Sequence, residues 1–140
     1  MGDIDRDKSL QELEQCDWGE PTFDSHVVTT CHDLRRKPLI KFTIEDLRLM
    51  ISQEMGLAFL MPLAIEGLEA EPLSAGDLYH GDLLAAVLRT NDAFWVSHPD
   101  YSQRIRQVIN QLRDSFDSLA EMDRQTAGEL LEGIPTSLTQ

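Results

Sequence analysis

Four histidines and two cysteines are the residues of this 140-residue chain best suited to metal binding or nucleophilic chemistry. His26 and His32 are six positions apart on one predicted helix, which places them roughly 240° apart around its axis, so they diverge. Helical metal ligands sit three or four residues apart, as in His-Glu-x-x-His, and the sequence holds no such pair. Cys31 beside His32 suggests a thiol activated by an imidazole. Helix neighbours point about 100° apart, however, and a hydrogen bond between them is awkward. Cys31 is therefore assigned to the core, where a free cysteine behaves as a small apolar residue. Two cysteines make no disulfide framework, and the spacing of Cys16 and Cys31 fits no zinc pattern.

One polar constellation stands out. Asp77, Tyr79, His80 and Asp82 share a single predicted loop, and His98 is the obvious partner from elsewhere. A metal-dependent hydrolase using His80, Asp82 and His98 is the enzymatic alternative. The competing reading is a helix N-terminus capped by Asp82, with Tyr79 packed beneath. The chain has no Gly-rich phosphate loop, Gly-x-Ser-x-Gly elbow or Walker pattern. The expectation is a protein with no catalytic residue, no metal and no cofactor.

The elements that must position these residues are helical. Ser9 with Glu12 forms a capping-box pattern that opens a short helix, Leu10 to Glu14. Residues 17–21 then read as a loop anchored by Trp18. From Ser25 to Arg36, Val27, Val28, Cys31 and Leu34 share one face, and Pro38 closes the element. Thr43 with Asp46 caps the next helix, where Ile44, Leu47, Ile51 and Met55 recur and Gly56 is the expected stop. The greasy stretch Leu57 to Leu68 predicts a central helix surrounded by others, with Pro62 in its first turn. Residues 72–81 form a loop, and Asp82 caps a helix over Leu83 to Arg89. Asn91 to His98 is expected to be irregular, pinned by Phe94 and Trp95.

After Pro99, Ile105, Val108, Ile109, Leu112, Phe116 and Leu119 mark the clearest helix, and a last one runs from about Gln125 to Glu132. The sum is an all-α, single-domain bundle of about six or seven helices. Residues 1–8 are expected to be a disordered acidic N-terminus, 9–135 the helical domain and 136–140 a frayed tail. No run approaches the roughly 20 apolar residues needed to cross a bilayer. The first eight residues lack the basic start and apolar stretch of a secretory signal, so the expected compartment is the cytoplasm.

Charge narrows the function. With 12 Lys and Arg against 25 Asp and Glu, the net charge is −13, which disfavours nucleic acid and anionic membranes and favours basic partners. Residues 57–100 carry seven acids and one base, Arg89. Glu66, Glu69, Glu71, Asp77 and Asp82 lie within seventeen residues with no Lys or Arg between them. They form either a solvated face or a docking surface for a basic protein. Arg35-Arg36-Lys37 ends a helix and complements its macrodipole, with a salt bridge to the acidic 57–100 region as the alternative role.

The order of several short strings is similar to one family. Asp17-Trp18-Gly19-Glu20-Pro21 is followed by Cys31-His32 and Leu34-Arg35-Arg36-Lys37-Pro38-Leu39. Then come Phe42-Thr43-Ile44-Glu45-Asp46-Leu47-Arg48, Gly56-Leu57 and Pro62-Leu63-Ala64. Leu68-Glu69, Pro72-Leu73, Gly76-Asp77, Gly81-Asp82-Leu83-Leu84 and Phe94-Trp95 complete the series. Over residues 17–99 the chain resembles the immunity proteins of bacterial contact-dependent growth inhibition systems.

The resemblance implies a small cytosolic protein that binds and neutralises the C-terminal toxin domain of an exported effector. Such toxins are commonly nucleases, and an RNase is the favoured expectation. A nuclease carries a basic cleft for its substrate, which an acidic inhibitor can occupy or flank. On this reading the contact residues are Glu66, Glu69, Glu71, Asp77, Tyr79 and Asp82, with Asp17 and Glu20 as a second patch. A generic acidic adaptor for some other basic protein is the remaining alternative.

Overall fold

Apolar spacing and polar caps translate into eight α-helices among the described residues of a computed structural model, which are 4–17, 19 and 25–138. They are α1 (Leu10–Glu14), α2 (His26–Arg35), α3 (Ile44–Ser52), α4 (Leu57–Ala70), α5 (Asp82–Leu88), α6 (Asp92–Ser97), α7 (Pro99–Ser115) and α8 (Glu121–Glu132). Short 3-10 turns follow at Leu39–Lys41, Phe116–Ser118 and Thr136–Leu138. The described residues contain no strand, only an isolated bridge between Ala75 and His80. The chain is an all-α single domain.

The two capping boxes form as the sequence demands. Ser9 and Glu12 exchange side-chain and backbone hydrogen bonds at the start of α1, and Thr43 and Asp46 do so at α3. Each satisfies N–H groups that a helix start otherwise leaves without acceptors. Helix α4 is the central one. It packs against α3, α5 and α7, burying Leu60, Met61, Ala64, Ile65 and Leu68. The stripe of α7, Ile105, Val108, Ile109 and Leu112, closes over it. Cys31 is buried, and that burial raises its thiol pKa.

Several local expectations are corrected. Gly56 does not stop α3; that helix ends at Ser52, and Gly56 (φ 62°) is instead the left-handed N-cap of α4. Pro62 therefore falls in the second turn, without the N–H that would reach the Ala58 carbonyl, and Ala58 is exposed. The irregular 91–98 segment is helix α6, because the Asn91 side chain accepts the Phe94 N–H at 2.8 Å. Phe116 lies in a 3-10 turn beyond the end of α7. Val27 is exposed rather than part of the α2 core face.

Described residues near both ends make defined contacts. Ile40 and Leu39 donate backbone N–H groups to Arg6 and Lys8, and Ile4 packs on the core. At the other end Leu138 is buried and the Ser137 carbonyl accepts from Arg106 Nη2 at 3.1 Å. In the basic run Arg35 pairs with Glu14, Arg36 with the Gly19 carbonyl and Lys37 with Asp46.

Candidate functional site

The loop between α4 and α5 is held from inside by Asp82. Rather than capping α5 through its side chain, Asp82 is the first residue of that helix, and Gly81 takes the N-cap position. Its carboxylate is 2% exposed and accepts backbone N–H groups from Gly76 (2.7 Å), Leu78 (3.0 Å) and Tyr79 (3.4 Å). Buried carboxylates are tolerated when their lone pairs are met this way. Asp82 is thus spent on positioning the loop and offers no surface to a partner.

A second carboxylate braces the same loop from α3. Glu45 accepts from Arg48 Nε and Nη2, both at 2.6 Å, and from the Asp77 backbone N–H at 2.9 Å. The Arg48 hydrogen bonds hold the Glu45 carboxyl below the usual glutamate range, against the opposing effect of burial. Gly76 lies close over both acids. A Cβ there would meet Glu45 Oε1 at 2.6 Å and Asp82 Oδ2 at 3.1 Å.

What this scaffold pushes outward is apolar and aromatic. Leu78 is 63% exposed and Tyr79 44% exposed, on a loop whose backbone is fixed by side-chain acceptors. Tyr79 lies against α8 and lines two adjoining depressions. One, of about 560 Å³, includes Arg89, Glu129 and Leu130; the other, of about 530 Å³, includes Glu121, Met122 and Asp123. His80 bridges to α8 through Nδ1, 3.3 Å from Asp123 Oδ1.

The remaining sequence-derived residues divide between different surroundings. Glu66 pairs with Arg6, and Glu69 pairs with both Nε and Nη2 of Arg104 at 3.1 and 2.7 Å. The Arg104 hydrogen bonds lower the Glu69 pKa. Glu71 accepts the Leu73 N–H within its own turn, and Asp17 accepts the Gly19 N–H at 2.7 Å. Glu20 and Trp18 lie outside the described residues. Asp77 and Tyr79 are the two named residues that share the outward-facing loop tip. Leu78, Glu121, Met122, Asp123 and Glu129 complete that surface; nothing in their sequence spacing marks them, and Met122 is 82% exposed on its helix.

His80, Asp82 and His98 are engaged separately. His80 faces Asp123, Asp82 holds the loop backbone, and His98 packs in a three-ring cluster with Phe94 and Tyr101, its Nδ1 2.9 Å from the Phe94 carbonyl. Among the described residues, no three His, Cys, Asp or Glu side chains are grouped to hold a metal ion. No helix among them is long and apolar enough to cross a membrane. A family model described as CDI immunity proteins matches residues 12–105. No curated protein matches the chain.

Proposed function

Because this chain belongs to the family of CDI immunity proteins, we propose that it captures the C-terminal toxin domain of its cognate effector stoichiometrically, through negative surface potential, without catalysis. The toxin domain is basic and is a nuclease, with an RNase favoured. The protein acts in the cytoplasm of the cell it protects. The observation that carries this reading is the pairing of a net charge of −13 with a rigidly mounted, outward-facing Asp77–Tyr79 loop tip. Opposite charge speeds the encounter, and a fixed apolar anchor holds the complex.

The test is co-expression with the cognate toxin domain. The expected result is growth rescue and one-to-one co-purification, with nanomolar or tighter binding as in other nuclease–immunity pairs. Continued toxicity despite abundant folded protein would refute it.

A further inference from the structure

We propose that the toxin domain is gripped at the seam between the 75–81 loop and α8, and that the occupant is an arginine- or lysine-bearing segment of that domain. This rests on the immunity reading and adds where, and by what chemistry, the contact is made.

Three observations converge there. First, of the six large hydrophobic side chains exposed among the described residues, Leu78, Tyr79 and Met122 belong to this one seam. Tyr79 and Met122 line the same depression. Second, the acids lining the two depressions, Glu121, Asp123 and Glu129, outnumber the one guanidinium, Arg89. A long cationic side chain fits such a place twice over. Its apolar stem lies along Tyr79 and Met122 while its charged head reaches the carboxylates, and the phenol ring adds a cation–π face.

Third, the seam is preorganised. Gly81 (φ +93°) packs so closely that a Cβ would lie 3.2 Å from Leu73, Thr126 and Leu130, which locks the loop end onto α8. His80 and Asp123 tie the loop to the helix on the other side. Little ordering is then left for binding to impose. The family-matched segment ends at residue 105, so the loop lies inside it and α8 outside. On this arrangement α8 is the half that distinguishes one toxin from another.

The test uses the full chain and the cognate toxin domain, with association and dissociation rates measured by surface plasmon resonance. The double variant Tyr79→Ala/Met122→Ala is expected to weaken binding at least tenfold, mainly through faster dissociation. Met122→Arg, at a position too exposed to threaten folding, sets like charge against the occupant and is expected to do the same. Asp123→Asn/Glu129→Gln is expected to slow association several-fold at low salt, with the difference shrinking as salt rises.

Val96→Ser, exposed on α6 and outside the seam, is expected to leave both rates unchanged. If Met122→Arg and the double variant bind as the parent does, the seam is not the interface, although the immunity reading stands. If the parent chain itself fails to bind the toxin domain, both readings fall.

Discussion

Asp82 Oδ2 accepts the backbone N–H of Leu78 at 3.0 Å, so a carboxylate sealed in the core fixes a side chain that is largely in water. The definition of the loop tip therefore depends heavily on that buried group. Asp82→Ala leaves three loop N–H groups without their acceptor and is expected to cost on the order of 3 kcal/mol, read from urea unfolding. Asp82→Asn keeps the shape and one acceptor oxygen, and its loss is expected to be smaller.

Glu45 adds an acid-sensitive brace. Its folded pKa is lowered by the Arg48 hydrogen bonds from the ordinary 4.5, so its stabilising contribution is present above that value and is lost as pH falls through the folded one. Urea midpoints measured downward from about pH 6 are expected to fall more steeply for the parent chain than for Glu45→Gln. Parallel curves would show that the Glu45–Arg48 pair contributes nothing to the acid limb.

Gly81 is fixed by both conformation and space. With φ at +93° and three side-chain carbons 3.2 Å from a hypothetical Cβ, Gly81→Ala is expected to destabilise the fold by about 1–3 kcal/mol. The same change should loosen the loop against α8, visible as faster amide exchange at Leu78 to Asp82. An unaltered melting curve would contradict the packing.

The two thiols should behave differently. Cys16 is exposed, whereas Cys31 is buried with its pKa raised by that burial. In native protein one equivalent of a thiol reagent is expected to react promptly, with the second reacting only on unfolding. Two fast equivalents would mean that α2 is not seated as described.

Leu138 is the buried residue of the last turn. Leu138→Ala is expected to cost about 2–4 kcal/mol if its site stays open, measured as a shift in urea midpoint. A change below about 0.5 kcal/mol, as at an ordinary surface position, would mean the turn adds nothing to the core.

The fold was legible wherever one local device decided the outcome. Ser9 with Glu12 and Thr43 with Asp46 each satisfy their own helix start, so the signal is complete within four residues. Asn91 carries the same kind of signal, an acceptor for the Phe94 N–H, but the helix it opens is only six residues long and shows no apolar repeat. Gly56 and Asp82 were ambiguous because a left-handed glycine can end one helix or begin another, and an acid before a helix can cap it or turn inward.

The choice at Asp82 depends on Gly76, Leu78 and Tyr79 folding back over it, a relationship no helix-spacing rule contains. The site was half legible. Asp77 and Tyr79 announce themselves in a polar loop, but α8 reaches them across more than forty positions of sequence. The acids of α4 have no Lys or Arg near them in sequence, yet Arg6 and Arg104 lie against them in space.

Helix α7 enters the family-matched segment at Pro99 and runs on past its end at residue 105, carrying Val108, Ile109 and Leu112 into the same core as α4. The last quarter of the chain is consequently no detachable cassette. If the proposed grip on α8 holds, drift toward a new adversary proceeds by repainting the outer side of that helix, one side chain at a time, over an interior that stays as it is.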